Sequence, residues 1–203
     1  MRFCLDTNVL FSFQKGIDLG SSPEEVAQCL TRAGSTKNVT FFMPPRIVEE
    51  LRNLIEPKGL ASLEELLTQV TVQSPTIHNQ SVGTQILYDF VNESRLRTQQ
   101  GIRIADEIVV QTAQEFLQKG PLSRIDLQKA LQPIKENLRL RYRNATRTGF
   151  VDSVADLDLL FLCKETDSFL VSADEGVMIW GRKIGVKEMD LSVFGETIRK
   201  ILA

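Results

Sequence analysis

The stretch Phe3-Cys4-Leu5-Asp6-Thr7-Asn8-Val9-Leu10 decides the fold. Apolar residues lead into a carboxylate, a hydroxyl and an amide, and this pattern predicts a buried strand with Asp6 at its carboxyl end. In open α/β sheets, ligands bind at the edge formed by the carboxyl ends of the strands. An Asp-Thr-Asn sequence after a strand is equally typical of a turn or a helix N-cap. Asp6 therefore indicates a site only if other acidic residues meet it.

The composition is that of an ordinary globular protein. The chain has 203 residues, of which 42% are hydrophobic and 25% are charged, and its net charge is -2. Any basic surface that binds nucleic acid must therefore be local. No apolar run approaches the roughly 18 residues of a membrane span, and strand-like sequence at residue 3 leaves no room for a signal peptide. We therefore expect a cytoplasmic protein.

The cysteines and the single histidine exclude several kinds of site. Cys4, Cys29 and Cys163 are widely spaced without a CxxC pair, so we expect reduced thiols in the core and no zinc site. One histidine, His78, cannot supply the paired imidazoles of an acid-base ribonuclease or a multi-histidine metal site. We expect His78 to be a solvated loop residue. Catalysis must therefore come from carboxylates.

The hydrophobic pattern alternates between strands and helices, with one long interruption. After the first strand, we predict strands at 39–43, 70–72, 168–172 and 186–189, with helices at 21–33, 46–54, 60–70, 150–162 and from Leu191. This order predicts an α/β fold in which helices cover a parallel sheet.

Two long helical patterns form the interruption. The first is weakened only at Gly101 and ends at Gly120-Pro121, and the second contains Pro133 as a candidate kink. Two long helices joined by a tight break are an αα-hairpin. We therefore predict a catalytic domain from residues 1–82 and 148–203, with a helical hairpin inserted at 83–147.

Four aspartates are predicted to meet. Asp6 and Asp174 stand at or just beyond the carboxyl ends of two predicted strands, whereas Asp152 and Asp156 are four residues apart on one helical face. Asp158 lies about 200° from Asp156 around that helix, so it is left out of the site. Each acid alone is also explained by a helix cap or a solvated face. Two like charges on a strongly apolar helix, however, favour a shared cation.

Clustered carboxylates repel one another unless a cation neutralises them. Oxygen ligands of this kind suit Mg²⁺ or Mn²⁺. Such a site predicts hydrolysis of a phosphodiester by metal-activated water. Glu49 and Glu50 are further candidates, although acids in the first turns of a helix are also common because of the helix dipole.

A local run of basic residues ends the predicted hairpin. Arg139, Arg143 and Arg147 fall at i, i+4 and i+8 on one helical face, with Arg141 between them. A solvated face normally mixes charges, but residues 135–147 hold only one acid. We therefore predict contacts between these arginines and phosphate groups.

Several motifs together resemble the PIN-domain nucleases. They are Leu5-Asp6-Thr7-Asn8-Val9-Leu10, Val48-Glu49-Glu50-Leu51, the Asp152 and Asp156 pair, and Val171-Ser172-Ala173-Asp174. The hairpin, together with a second set of residues, resembles more specifically the protein-only ribonuclease P homologues of bacteria and archaea, known as HARP. That set is Ser172-x-Asp174-Glu175-Gly176-Val177 followed by Trp180, Lys183 and Gly185-Val186. This closer resemblance extends over essentially the whole chain.

The resemblance implies a three-layer PIN-like fold and a metal-dependent endonuclease. Such an enzyme removes the 5′ leader of precursor tRNA without an RNA subunit and leaves a 5′ phosphate on the mature tRNA. The implied metal-site acids are Asp6, Asp152, Asp156 and Asp174, and Glu50 matches a further acidic position of the family.

The resemblance also implies substrate contacts and an assembly. Arg139 and Arg143 occupy positions that bind substrate in HARP-like proteins. Members of that family form dimers through the hairpin and then rings of dimers, which are dodecamers. Around the acids, we expect Thr7, Asn8 and Ser172 to hold Asp6 in place.

Two alternatives remain open at the level of the sequence. A PIN-domain toxin-type ribonuclease would cut RNA internally, but such proteins usually lack a long hairpin and are paired with an antitoxin. A non-catalytic RNA-binding scaffold, such as a partner of an RNA ligase, would have no use for clustered like charges.

Overall fold

The computed structural model describes residues 1–36, 38–55, 61–76 and 82–203. The chain divides into two compact units, Met1–Val82 with Gly149–Ala203 and, separately, Gly83–Thr148. The predicted loop residue His78 lies outside the described residues. Within them, none of the helices combines the length and the apolar character needed to cross a membrane.

The first unit is built on a sheet of five parallel strands in the described residues, in the order β3-β2-β1-β4-β5. The strands are β1 (Arg2–Leu5), β2 (Thr40–Met43), β3 (Val70–Val72), β4 (Phe169–Val171) and β5 (Lys187–Glu188). The predicted parallel sheet is confirmed, and each predicted strand is present. Because all strands are parallel, their carboxyl ends lie along one edge of the sheet.

Helices flank this sheet, which confirms the predicted α/β class. In chain order they are a 3-10 helix (Thr7–Lys15), α1 (Pro23–Gly34), α2 (Pro45–Ile55), α3 (Ala61–Thr68), α6 (Val154–Glu165), α7 (Glu175–Ile184) and α8 (Leu191–Leu202). The second unit contains α4 (Thr84–Lys119) and α5 (Arg124–Arg147). The two long helices predicted for the insertion are therefore confirmed.

The core is centred on β1. Phe3 is in register with Phe41 of β2 and Phe169 of β4, and its ring centroid lies 6.1 Å from each of theirs. Phe194 of α8 meets Phe3 edge-on at 5.0 Å. The three cysteines are buried and unpaired, as expected for core thiols. Trp180 is 2% exposed and also belongs to the core.

One predicted helix boundary is wrong. The helix expected over 150–162 begins at Val154, and Asp152 lies before it, outside any helix or strand. Ser153 is the N-cap residue, because its backbone is extended and its hydroxyl accepts the backbone N–H of Asp156 at 3.0 Å. Asp152 and Asp156 therefore do not share a helical face, although they are four residues apart.

The helices of the second unit approach each other closely at Gly101. A Cβ atom added to Gly101 would lie 2.6 Å from Cε2 of Tyr142, so the tyrosine ring packs directly on the backbone of α4. Gly101 interrupts the helical pattern of the sequence. A residue without a side chain is needed here, because Tyr142 of α5 packs against the backbone of α4. Ser123 caps α5 by accepting the backbone N–H of Asp126 at 3.2 Å.

Candidate active site

The ends of β1 and β4 place Asp6 beside Ser172. Leu5 is in register with Val171, and the backbone N–H of Asp6 donates to the carbonyl of Val171 at 3.1 Å. The residue after each strand therefore occupies the same level at the carboxyl edge of the sheet. This backbone pairing brings together residues that are 166 positions apart.

Asn8 and Ser172 fix the carboxylate of Asp6 from both strands. The side-chain amide of Asn8 donates to Oδ2 of Asp6 at 2.8 Å and to the hydroxyl of Ser172 at 3.2 Å. Its carbonyl oxygen accepts the backbone N–H of Ala173 at 2.7 Å. The hydroxyl of Ser172 donates to Oδ2 of Asp6 at 2.5 Å and accepts the backbone N–H of Asp174 at 2.9 Å. These hydrogen bonds join the carboxyl ends of β1 and β4 and fix their relative position.

Thr7 contributes differently from Asn8. Its backbone N–H is hydrogen-bonded to the carboxylate of Asp6 and lowers the pKa of that group. Its hydroxyl is buried and has no hydrogen-bond partner in the part of the chain that the structure describes. A buried hydroxyl without a partner is costly, so this oxygen has capacity for a further hydrogen bond next to Asp6 in the chain.

Asp174 is both a helix cap and a candidate ligand. Its Oδ1 accepts the backbone N–H of Val177 at 3.0 Å, which makes Asp174 the N-cap of α7. The cap explanation raised from the sequence is therefore real for this residue, and it uses one of the two carboxylate oxygens. Asp6, by contrast, precedes the 3-10 helix without a side-chain cap bond.

Gly176 brings α7 against the segment that leads to Asp152. A Cβ atom at Gly176 would lie 2.6 Å from the carbonyl oxygen of Phe150 and 2.7 Å from its nitrogen. Only glycine allows this backbone contact, because any side chain would collide with backbone atoms. The contact lies two residues after Asp174 and two residues before Asp152. It therefore limits how far apart these two acids can be.

The electrostatics show that the predicted acids influence one another. Burial raises the pKa of Asp6 to about 6, and the carboxylates of Asp156 and Asp174 add to this rise against the opposing hydrogen bond from Ser172. Burial also raises the pKa of Asp156, to which Asp174 and Asp152 contribute repulsion. The four aspartates thus form one electrostatic cluster, with Asp6 as its most buried member.

Glu50 of α2 also interacts with this cluster. Burial raises the pKa of Glu50, and the carboxylates of Asp156 and Glu49 raise it further. Glu49, in contrast, lines a cavity together with Arg52 of the same helix and Glu64 of α3. The geometry therefore favours Glu50 over Glu49 as a fifth acid.

Asp158 lies outside the cluster, as predicted, but it is not a surface residue. It is 6% exposed and forms an ion pair with Nη1 of Arg46, at the start of α2. The sequence interpretation missed Arg46. A signal was available, because a cation in the first turn of a helix opposes the helix dipole and therefore calls for a partner.

The residues fit a divalent cation in their chemistry. The described ranges contain no group of three or more His, Cys, Asp or Glu side chains already arranged to hold one ion. The side chains that meet at this edge are nevertheless oxygen donors of the type that Mg²⁺ prefers. Asp6 and Asp156 have raised pKa values from burial and mutual repulsion, which a cation would relieve. The unpartnered hydroxyl of Thr7 is consistent with the same interpretation.

The predicted phosphate-binding arginines lie in the second unit and fall into two groups. Arg139, Arg143 and Arg147 are exposed and line one apolar cavity of the hairpin with Tyr142. Arg141 instead pairs with Glu107 of α4 at 2.5 Å. Three of the four arginines therefore share a surface, and the fourth joins the two helices.

Comparison with known proteins gives the family. The family described as PINc domain ribonuclease matches residues 2–203. A protein of Thermococcus onnurineus named RNA-free ribonuclease P is 30% identical over 205 residues, covering 100% of this chain and 96% of the relative. Proteins of the same name from Pyrococcus furiosus and Halorhodospira halophila are 28% and 32% identical and cover 100% and 92% of this chain, respectively. They are themselves covered over 94% and 84% of their lengths. The chain therefore belongs to the PINc domain ribonucleases and is an endoribonuclease of the hydrolase class.

Proposed function

We propose that this enzyme removes the 5′ leader of precursor tRNA by metal-dependent hydrolysis and leaves a 5′ phosphate on the mature tRNA. The observation that carries the proposal is the match to proteins named RNA-free ribonuclease P along nearly their whole length. The matched range covers 100% of this chain in both cases and so spans the hairpin as well as the residues of the acid cluster. The activity would require no RNA subunit.

The acid cluster supports a metal-dependent reaction. Ribonucleases with a PIN domain generally use divalent metal ions. Asp6, Asp152, Asp156 and Asp174 would hold Mg²⁺ or Mn²⁺, with Glu50 as a further ligand. An ion held by these residues would supply the positive charge for activating water and stabilising the leaving oxygen. The single histidine of the sequence cannot supply paired imidazoles for acid-base catalysis, so in this proposal carboxylates provide the chemistry.

The residues around Asp6 have a positioning role in this proposal. Asn8 and Ser172 both donate to Oδ2 of Asp6, so the carboxylate has a single orientation before substrate binds. The same serine accepts the N–H of Asp174, so a shift of one acid is transmitted to the other. Preorganised ligands of this kind avoid reorganisation during the reaction.

The hairpin supports two further parts of the proposal. Arg139, Arg143 and Arg147 present guanidinium groups along one cavity, as contacts with tRNA phosphates require. The same helices expose large apolar side chains, including Leu117 at 85% and Val109 at 66%. A second protein surface would remove such side chains from water. We propose that a second copy of the chain covers them, giving a homodimer that can assemble into a larger ring.

The decisive experiment is incubation of the purified protein with a precursor tRNA and Mg²⁺, followed by mapping of the 5′ end of the product. We expect cleavage at the junction between leader and mature tRNA, with a 5′ phosphate on the tRNA. Cleavage within the tRNA would instead identify a toxin-type ribonuclease. Absence of any cleavage would support the RNA-binding scaffold.

A further inference from the structure

The ion pair between Arg46 and Asp158 connects two helices that carry acids of the site. Arg46 lies in the first turn of α2, one helical turn before Glu50. Asp158 lies on α6, two residues after Asp156. The carboxylate of Asp158 is buried and Nη1 of Arg46 is its hydrogen-bond donor. The buried carboxylate of Asp158 holds the guanidinium of Arg46 in place, and the i, i+4 spacing puts Arg46 and Glu50 on the same face of α2.

The ion pair with Asp158 uses only a fraction of the N–H donors of Arg46. The side chain remains 54% exposed, and among the described residues only Asp158 contacts its guanidinium. An arginine carries five N–H donors in a planar fork that matches the geometry of phosphate oxygens. The remaining donors of Arg46 are therefore free to bind a phosphate while Asp158 stays neutralised.

The position of Arg46 is unusual at this edge of the sheet. Helices follow β1, β2, β4 and β5 at the carboxyl edge, and α6 also begins with acids of the site in its first residues. Among the described helices of the first unit, only α2 has a cation in its first turn. A cation there is opposed by the helix dipole. The ion pair with Asp158 offsets this cost, and an anion bound by the remaining donors of Arg46 would offset more of it.

An RNA strand at this edge needs such a cation. The phosphates that flank the cut bond must approach Asp6, Asp156 and the neighbouring acids, whose mutual repulsion already raises their pKa values. We propose that Arg46, held in place by Asp158, binds a phosphate of the RNA backbone next to the bond that is cut. This inference rests on the proposed function and adds a substrate-binding residue to it.

The test compares Arg46→Gln with Arg52→Gln. Arg52 lies on the same helix, is 57% exposed, and pairs with Glu64, so it is a matched control. Both changes are made in an Asp174→Asn background, in which RNA is bound without being cut. Fluorescence anisotropy then gives the affinity for a precursor tRNA and for an unstructured single-stranded RNA over a range of NaCl concentrations.

We expect Arg46→Gln to weaken RNA binding about fivefold to tenfold and to reduce the slope of log affinity against log salt by about 0.7 to 0.9, the loss of one phosphate contact. Arg52→Gln should leave the slope unchanged. Equal slopes for the two variants would overturn the proposal and leave Arg46 as a structural partner of Asp158 alone.

Two further variants separate binding from folding. Asp158→Asn keeps the positive charge of Arg46 but removes the ion pair that holds its side chain. We therefore expect an unchanged slope of log affinity against log salt and RNA binding weakened about twofold to threefold. If Arg46→Gln does not fold, Arg46→Lys is the alternative test. Lysine keeps the positive charge but lacks the planar set of N–H donors of the guanidinium group. Several-fold weaker binding by Arg46→Lys supports the proposal, and unchanged binding contradicts it.

Failure of the proposed function would be recognised separately. In that case the wild-type enzyme would leave the 5′ leader uncut in the mapping experiment. The single-stranded RNA measurement would still report whether Arg46 contacts the backbone.

Discussion

The carboxyl edge of the sheet and the helical hairpin differ in how completely the chain satisfies its own side chains. At the sheet edge, Asp6 is 6% exposed and is bonded by groups from two strands. In the hairpin, α5 has no buried residue among those described, and apolar side chains such as Leu117 face solvent. The hydrogen bonds that orient Asp6 come from within one chain, whereas the hairpin exposes apolar surface suited to something outside the chain. Changes at the sheet edge should therefore alter chemistry, and changes in the hairpin should alter assembly or RNA binding.

The largest effect is expected at the acid cluster. Asp174→Asn should lower cleavage at least a thousandfold, because it removes a charged ligand while the amide oxygen can still cap α7. Binding of tRNA and the oligomeric state should be unchanged. Glu175→Gln, which removes a neighbouring exposed acid, is the control and should keep full activity. Loss of folding in Asp174→Asn would show that the cap is its main role.

Asp6→Asn should abolish cleavage and yet stabilise the protein in EDTA. Burial raises the pKa of Asp6 from its ordinary value of 3.8 to about 6 in the folded state, so folding disfavours the charged form. Stability is therefore lost as the pH rises from about 4 to about 6, and at pH 7 the cost is about 3 kcal/mol.

Urea unfolding at pH 7 and pH 4 measures this effect. The asparagine variant should be more stable by about 2 to 3 kcal/mol at pH 7, with a much smaller difference at pH 4. Added Mg²⁺ should narrow the gap at pH 7, since a cation compensates the charge of Asp6. If Asp6→Asn is less stable than the wild type at pH 7, the hydrogen bonds of the Asp6 carboxylate stabilise the protein by more than its buried charge destabilises it.

Gly176→Ala should reduce cleavage roughly tenfold or more without unfolding the protein. The added methyl group would meet the backbone of Phe150 and must displace α7 or the segment before Asp152. Gly83→Ala is a matched control, because its Cβ would contact nothing within 4 Å and its φ is −59°. Equal activity of the two variants would mean that the distance between Asp174 and Asp152 is not critical.

Val109→Glu should affect the hairpin alone. Val109 is 66% exposed on α4, so the charge costs little in the monomer but would be buried by a second copy. We expect about a tenfold weaker self-association in light scattering, with an unchanged melting temperature of the separate subunit. Unchanged self-association would place the interface on another face of the hairpin.

The fold was predictable because the central strands β1 and β4 have strong local signals. The apolar run before Asp6 and the run before Ser172 carry enough hydrophobic residues to be recognised as buried strands. The carboxyl ends of parallel strands lie at one edge of the sheet, so the residues after these two strands were expected to lie close together. Ser22 and Pro23 at the start of α1 likewise form the expected cap.

The details that failed depend on contacts between distant residues. The helix boundary near Asp152 was misplaced because Ser153 competes as a cap, and the apolar pattern does not reveal that choice. The partner of Asp158 is Arg46, 112 positions away, so spacing on one helix could exclude Asp158 from the cluster without showing what binds it. The role of Gly176 depends on backbone atoms of Phe150, which no sequence pattern displays.

The most direct test of the account is a crystal structure of the enzyme soaked in Mn²⁺, with anomalous scattering measured at the manganese edge. We predict manganese bound between the carboxylates of Asp6 and Asp174, within ligand distance of Asp156, and lost in crystals of Asp6→Asn. Manganese bound elsewhere, with no peak at these carboxylates under saturating Mn²⁺, would contradict the assignment of this edge as the cutting site.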